Sequence, residues 1–401
     1  MEEMSKTAGC GCSEVAASQN KQKISTSGVS IMSSMDEMPS CSATEAESPM
    51  AGYEKPGYRL FSFVDKFIDT DAGPVPIIKP KLQVEDLFAT FFVRCGIGRY
   101  SYTIAPGLYG IGSPDKNSEV LVTANFKLTF DHVRKELSSI NAWILVLDTK
   151  GINVWCAAGK GTFSTHELVK RIKKSSLEKV VDHKRVIVPQ LGATGVSARD
   201  VKKQSGFKVV YGPVRAKDIP AFLKNNNTAD KTMRLITFSM YERFILTPVE
   251  IQMVLKPALM IALVLFIISG FGPGFFSFSG ALERGLPAFF ALLTGIISGA
   301  FVTPVLLPYI PFRHFALKGI ISGSIFALLF LSLSASAIQG ISGFIALFLF
   351  SVSISSYLAM NFTGATPFTS PSGVEKEMKQ YIPVQLASLV ISFGLWIYSA
   401  F

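Results

Sequence analysis

Long apolar runs divide the chain into two unlike parts. Before about residue 250 apolar and polar positions are mixed, whereas beyond it apolar segments follow one another at about 254–272, 287–307, 315–336, 338–360 and 381–400. Because a helix needs roughly 20 apolar residues to cross a bilayer, this pattern predicts an all-α transmembrane domain of about five helices over residues 251–401. The third and fourth segments are barely separated, so four helices are an alternative.

The pattern upstream alternates between strands and helices. It predicts strands at Val120–Asn125, Trp143–Asp148, Val186–Pro189 and Lys208–Tyr211, and helices at Phe130–Ile140, from a capping box at Ser164–Glu167 to Lys174, and at Ser197–Lys203. This order is typical of a mainly parallel sheet covered on both faces, an open α/β domain over residues 56–225. The pattern of residues 56–118 predicts an irregular lead-in with one short helix. Residues 226–250 are predicted to form a linker to the membrane part.

Residues 1–55 are rich in Ser, Ala, Glu and Met and have no sustained period, which predicts a disordered tail. Its Cys10 and Cys12 could capture a thiophilic metal ion, but two incidental cysteines are the favoured interpretation. The tail lacks the basic and apolar regions of a signal peptide. The α/β domain is therefore expected to stay in the cytoplasm.

Composition and cysteine usage narrow the class of protein. A hydrophobic content of 49% indicates a mixed soluble and membrane chain, and the net charge of +10 lies mostly in the first part. A basic domain favours an anionic membrane surface or an acidic partner, and no nucleic-acid module is recognisable. The five cysteines form neither a disulfide framework nor an iron-sulfur motif, so no cluster is expected in this chain and a reducing compartment is favoured.

Charges beside the apolar segments predict the orientation in the membrane. Lys256, Arg313, Lys318, Lys376 and Lys379 fall on one side, and Arg284 falls on the other. The positive-inside rule places the first group in the cytoplasm. We therefore expect a multi-pass protein of the cytoplasmic membrane with its C-terminus outside. Helix centres without charged residues argue against an ion pump or proton relay.

One motif carries candidate chemistry. Residues 153–160 read Asn-Val-Trp-Cys-Ala-Ala-Gly-Lys and follow the predicted strand Trp143–Asp148. If Asn153 is the N-cap of a helix, Cys156 lies in its first turn, where backbone N–H groups favour a thiolate. The small residues after Cys156 leave room for a broad flat ring, and a thiolate is a ligand for soft or borderline transition metals. A buried structural thiol is the usual alternative for a lone cysteine.

The octet resembles the signature of the corrinoid proteins of microbial mercury methylation, which are relatives of the corrinoid iron-sulfur protein of the acetyl-CoA pathway. The similarity covers roughly residues 56–225. It extends through Cys95-Gly-Ile-Gly-Arg-Tyr100, Pro106-Gly-Leu-Tyr109, Val122-Thr-Ala-Asn-Phe-Lys127, Pro189-Gln-Leu-Gly-Ala193 and Ser205-Gly-Phe-Lys-Val-Val-Tyr-Gly-Pro213.

The resemblance implies a Rossmann-like corrinoid-binding domain in which Cys156 is the catalytic residue and the lower axial ligand of cobalt. Ligands of open α/β folds bind beyond the carboxyl ends of strands, which adds the loops after two strands to the candidate site. The residues expected to bind the cofactor are Asn153, Val154, Trp155, Cys156, Ala157, Ala158, Gly159 and Lys160, with Thr149, Gly192, Ala193 and Gly195 as contacts of the corrin or its nucleotide tail.

The implied activity is that of a corrinoid-dependent methyltransferase, which transfers a methyl group from methyl-cobalt to Hg(II) and forms methylmercury. A thiolate below the cobalt donates electron density that an electrophilic acceptor requires. The family implies a ferredoxin-like partner with two [4Fe-4S] clusters as electron donor and a methyl donor from a methyltetrahydrofolate-linked pathway. The basic run Lys170, Arg171, Lys173, Lys174 and Lys179 could dock an acidic ferredoxin, although a solvated helix face is the commoner role.

Two alternatives stay open at this point. The chain could be a membrane-bound corrinoid carrier or sensor whose helices provide the output. It could also be a corrinoid methyltransferase for a different acceptor, because the identity of the acceptor leaves no readable mark in the sequence.

Overall fold

The computed structural model describes residues 62–338, 340–362, 368 and 371–401. The predicted tail 1–55, with Cys10 and Cys12, lies outside the described residues.

A mixed sheet of seven strands forms the centre of the α/β part, in the order β1-β2-β3-β5-β4-β6-β7. Four of the neighbouring pairs, β2 with β3, β4 with β5, β4 with β6, and β6 with β7, are parallel. The pairs β1 with β2 and β3 with β5 are antiparallel. The strands are β1 Val64–Ile68, β2 Val75–Ile78, β3 Gly107–Ile111, β4 Val120–Ala124, β5 Ala142–Leu147, β6 Arg185–Val188 and β7 Lys208–Tyr211.

The expectation of a sheet of mostly parallel strands with helices is confirmed, but the irregular lead-in is wrong over the described residues. That region supplies β1, β2, β3 and a helix of 11 residues. All residues of β2 and β3 are buried. Strands buried on both faces lack the alternation of apolar and polar positions by which strands are recognised in a sequence.

Helices cover both faces of the sheet. They are α1 Val84–Arg94, α2 Lys127–Glu136, α3 Val154–Gly159, α4 Thr165–Lys174, α5 Leu177–Val180, α6 Ala198–Ser205 and α7 Ile219–Lys224. Side chains of β5 point alternately into two cores: Leu145 packs in the core that contains Leu168 of α4, and Ile144 in the core that contains Phe130 of α2. The chain therefore leaves β4 and β5 toward opposite faces of the sheet.

A buried network of four charges ties α1 to α2. Lys127 Nζ lies 2.6 Å from Asp86 Oδ1 and 2.8 Å from Asp131 Oδ2. Arg134 donates to Asp86 and Asp131, each at 2.7 Å. Burial raises the pKa of Asp86, but hydrogen bonds from Lys127, the Gln83 backbone and Arg134 outweigh it and hold the pKa below its usual value. Helix α2 begins at Lys127, three residues before the predicted start at Phe130, and ends at Glu136, four residues before the predicted end at Ile140.

Within the described residues, five helices are long and apolar enough to cross a membrane. They are α8 Met240–Ser269, α9 Phe278–Ile296 with its continuation to Val305, α10 Phe315–Leu333, α11 Gly340–Asn361 and α12 Pro371–Tyr398. The finding supports a membrane protein with five helices rather than four, since a turn at Ala335–Ala337 separates α10 from α11. The predicted orientation stays a prediction.

The first apolar helix begins earlier than the sequence pattern suggested. Ser239 caps α8 together with Glu242 in a capping box, so residues 240–250, assigned to the linker from the sequence, are helical. Close packing in the bundle relies on glycine. A Cβ on Gly299 would lie 2.5 Å from the carbonyl oxygen of Ser355 in α11, so this glycine serves contacts within one chain.

Candidate functional site

The helix with the candidate thiol, α3, follows the carboxyl end of β5. Because the chain leaves β4 and β5 toward opposite faces, the carboxyl ends of these two strands form the switch point of the sheet, which is where open α/β folds bind ligands. The exposed residues of α3 and its C-cap are Trp155, Cys156, Gly159 and Lys160, and the buried ones are Val154, Ala157 and Ala158. The helix thus presents one face, with the thiol, to solvent.

Asn153 fixes the start of this helix. Its backbone is extended, and its Oδ1 accepts a hydrogen bond from the backbone N–H of Cys156 at 2.9 Å. Asn153 is therefore the N-cap, as the sequence predicted. The cap holds the residue that bears the thiol, so the position of the sulfur depends on it.

The variant Asn153→Ala is expected to loosen α3, because the loss of an N-cap costs about 1 kcal/mol. Such a loss corresponds to roughly fivefold faster amide hydrogen exchange at Cys156. Hydrogen exchange followed by mass spectrometry checks this. Asn153→Asp is the matched control and should keep the protection; equal exchange in both variants would show that the cap is not needed.

The loop between β5 and α3 is organised by Asn125, at the end of β4. Its Oδ1 accepts hydrogen bonds from the backbone N–H groups of Thr149 and Gly151 at 3.0 and 3.1 Å, and the Thr149 hydroxyl lies 2.8 Å from the same oxygen. Both Asn125 and Thr149 are fully buried. Thr149, expected to contact the cofactor, therefore holds the loop with its side chain. Asn125 was assigned no role; a polar residue ending an apolar strand was the available signal.

Glu167 holds the same loop from the side of α4. Its Oε1 accepts from the backbone N–H of Asp148 at 3.0 Å and from Arg171 Nη2 at 2.7 Å. Arg171 is 2% exposed and also donates to the carbonyl oxygen of Pro106. The expectation that Arg171 docks an acidic ferredoxin is therefore wrong, because its guanidinium is buried and pairs with Glu167 inside the domain. The other members of that basic run, Lys170, Lys173, Lys174 and Lys179, are exposed.

The loop after β6 packs directly against α3. A Cβ on Gly195 would lie 2.1 Å from the carbonyl oxygen of Phe163 and 3.1 Å from Ala158 Cα, and a Cβ on Gly192 would lie 2.4 Å from the Phe163 ring. Ala193, between them, is half-buried. These residues are thus brought beside the cysteine helix, where the glycines permit close packing.

Gly159 differs from these two glycines. A Cβ at Gly159 would meet nothing within 4 Å. Gly159 lies three residues after Cys156, on the same exposed side of the helix. The surface beside the sulfur is therefore unobstructed at Gly159, which leaves room for a broad planar ring on the helix. No group of three metal-ligating side chains lies together within the described residues, so a metal bound by Cys156 would have to bring its other ligands with it.

Fold and site together define an open α/β domain, with an exposed thiol beyond the carboxyl end of β5, joined to a bundle of apolar helices. Residues 99–223 match the family model described as CO dehydrogenase/acetyl-CoA synthase delta subunit. The matched region contains both Cys156 and the Gly192–Gly195 loop.

Three relatives illustrate the similarity. The gamma subunit of the acetyl-CoA decarbonylase/synthase complex of Methanopyrus kandleri is 37% identical over 123 residues, which is 30% of this chain and 26% of the relative. The corresponding subunit of Methanocaldococcus jannaschii is 34% identical over 130 residues, 32% of this chain and 26% of the relative. The corrinoid/iron-sulfur protein large subunit of Moorella thermoacetica is 36% identical over 118 residues, 29% of this chain and 26% of the relative.

The chain thus spans about a quarter of the length of the relatives it matches. The expected relation to the corrinoid iron-sulfur protein is confirmed by these matches. The narrower resemblance to the proteins of mercury methylation stays a prediction.

Proposed function

We propose that this chain is a corrinoid-dependent methyltransferase of the membrane that passes a methyl group to Hg(II) and forms methylmercury. The observation that carries the proposal is the exposed Cys156 thiol, set beside the open surface at Gly159 on a helix beyond the carboxyl end of β5. Similarity to a corrinoid/iron-sulfur protein subunit supports the choice of cofactor. The octet at residues 153–160 supports the choice of acceptor.

Each residue of the octet has a part in this proposal. Cys156 would bind the cobalt through its thiolate, and Asn153 fixes the turn that bears it. Trp155, Gly159 and Lys160 form the rest of the exposed face on which the ring would rest. Val154, Ala157 and Ala158 anchor the helix in the core. A bound corrinoid supplies a cobalt centre that accepts and gives up a methyl group, and a thiolate ligand makes that centre electron-rich.

The surrounding loops position the helix rather than reach the cobalt. Thr149 is tied to Asn125 and keeps the entry to α3 in one conformation. Gly192, Ala193 and Gly195 form the neighbouring wall, where the nucleotide tail or the corrin edge would pass. The two glycines of this wall also set its distance from Ala158 and Phe163.

The proposal includes partners. A ferredoxin-like protein with two [4Fe-4S] clusters would supply electrons, and its acidic surface would be attracted by the exposed Lys170, Lys173, Lys174 and Lys179. The methyl group would come from a methyltetrahydrofolate-linked pathway. The charges beside the apolar segments favour a multi-pass protein of the cytoplasmic membrane, with the α/β domain in the cytoplasm and the C-terminus outside.

A corrinoid carrier, or a methyltransferase for another acceptor, is the second candidate. The observation that favours it is the similarity to subunits of the acetyl-CoA decarbonylase/synthase complex, over the region that contains the site. Both candidates need Cys156 at the same place, and they differ in what receives the methyl group.

Methyl transfer by the purified full chain separates the two candidates. The chain is loaded with corrinoid, reduced, methylated with a chemical methyl donor and exposed to Hg(II), and methylmercury is measured by mass spectrometry. The proposed function predicts methylmercury in amounts that follow the bound corrinoid. Uptake of the methyl group without transfer to Hg(II), but with transfer to another acceptor, would favour the second candidate.

The variant Cys156→His tests whether the identity of the ligand matters. Imidazole also binds cobalt but donates less electron density than a thiolate, so the variant is expected to keep more of its bound corrinoid than of its methylmercury formation. The measurement is the ratio of product to bound cobalt. An unchanged ratio would mean that electron donation by the thiolate is unimportant.

A further inference from the structure

An apolar stripe covers the outward face of α1. Val84, Leu87, Phe88, Phe91 and Phe92 follow one another at spacings of three, one, three and one residues, which places them on one side of a helix. They are exposed by 47–63%. Ile97 and Tyr100 continue the exposed apolar surface beyond the end of the helix.

This exposure is concentrated rather than scattered. Over residues 62–234, all of which the structure describes, the remaining exposed large apolar side chain is Trp155, beside Cys156. Contiguous apolar patches of this kind mark surfaces that bind another molecule or a membrane.

The side of α1 that bears Asp86 points inward, and the ion pairs of this residue fix the orientation of the helix. Asp86 is 5% exposed and pairs with Lys127 and Arg134. Turning the helix to bury its stripe would leave Arg134, which is fully buried, without one of its two carboxylates. Because an unpaired buried charge is costly, the fold holds the stripe outside.

The stripe lies beside the first apolar helix. Helix α1 contacts α8, and a Cβ on Gly96, just after α1, would lie 2.7 Å from Gln252 Oε1. Gln252 comes two residues before the long apolar run of α8, and the exposed Lys256 follows one turn later. Lysines at such positions extend to the lipid headgroups. Helix α1 is therefore next to the point where α8 enters the hydrocarbon.

We propose that α1 is an interfacial membrane helix, whose stripe around Phe88 and Phe91 lies among the acyl chains of the bilayer that α8 crosses. Amphipathic helices of this kind bury the apolar face roughly 5–10 Å into the boundary between headgroups and acyl chains. The occupant of the stripe is lipid, because the stripe is continuous with a segment of membrane-spanning length and composition.

The anchoring extends to the candidate site. A Cβ on Gly151, in the loop that leads to Cys156, would lie 2.7 Å from Thr103 Cγ2, shortly after α1. The segment between α1 and β3 thus contacts both α8 and the loop of the cysteine helix. With α1 in the interface, the cysteine helix is held at a fixed distance from the membrane surface.

Quenching of tryptophan fluorescence by brominated lipid tests this placement. The variant Phe91→Trp, in the full chain, is reconstituted into phosphatidylcholine vesicles with or without bromine in the acyl chains. The emission of the native Trp143, Trp155 and Trp396 is measured on the unsubstituted chain and subtracted. We expect brominated lipid to quench most of the emission that the added tryptophan contributes. Bromine on an acyl chain quenches only a fluorophore in contact with that chain, and the proposal places residue 91 among the acyl chains.

The matched control is Lys203→Trp, at an exposed position of α6, a helix that packs on the opposite face of the sheet from α2. Its added emission should survive in brominated vesicles, and circular dichroism should show an unchanged fold for both variants. Equal quenching of the two variants would overturn the proposal. Protection of residue 91 from aqueous acrylamide without quenching by bromine would also overturn it, because the stripe would then be covered by protein.

Discussion

Replacing Cys156 by alanine is expected to abolish methylmercury formation by the full chain. The substitution removes the thiol that α3 presents to solvent, while the hydrogen bond from the backbone N–H of residue 156 to Asn153 Oδ1 is kept. Because alanine favours helix, the fold should not suffer. Methylmercury is measured by mass spectrometry. Hydrogen exchange over residues 154–163 checks that the fold is unchanged.

Cys95→Ala is the matched control. Cys95 is a half-buried thiol in the same domain, at the C-cap of α1 and away from α3. This variant should retain methylmercury formation and bound corrinoid. Normal product formation by Cys156→Ala would remove the proposed mechanism, and equal losses in both variants would show that the effect is not specific to the ligand position.

Gly195→Ala is expected to disrupt the wall of the site. Its new Cβ would lie 2.1 Å from the backbone carbonyl oxygen of Phe163, so the loop or α3 has to move. Overpacking of this kind costs roughly 1–3 kcal/mol. We expect faster hydrogen exchange in residues 154–163 and 189–197, with weaker corrinoid binding as Cys156 is displaced. Unchanged exchange in both segments would contradict the packing described for this loop.

Gly159→Ala separates binding from folding. A Cβ there meets no protein atom within 4 Å, and alanine at a helical position is favoured over glycine by about 1 kcal/mol. The protection of the α3 amides from hydrogen exchange should therefore stay the same or increase. Corrinoid affinity should fall by about tenfold, because the methyl group stands on the surface where the ring would rest. Unchanged affinity, measured by titration followed by absorbance, would place the ring elsewhere.

The elements that were predictable from the sequence are those with a local signal. The capping residue Ser164 opens α4, and the apolar runs of β4 and β5 are continuous because both faces of these strands are covered. The five apolar helices have the length of a membrane span. The relative placement of Asn153 and Cys156 follows from capping chemistry alone.

The parts that were missed depend on contacts between distant segments. Arg171 sits in a basic run, and only the fold shows that Glu167 and the carbonyl oxygen of Pro106 bury it. The role of Asn125 depends on β4 lying next to β5. The spacing in α1 defines an apolar face, but which side faces outward is decided by the pairing of Asp86 with Arg134, 48 residues away.

The ligand of cobalt is the most direct measurement of the central claim. X-ray absorption at the cobalt edge, on the full chain purified with bound corrinoid, distinguishes a sulfur neighbour from nitrogen and oxygen neighbours. We expect one sulfur bound to cobalt in the unsubstituted chain and in Cys95→Ala, and its loss in Cys156→Ala. Cobalt coordinated by nitrogen or oxygen alone in the unsubstituted chain would contradict the account.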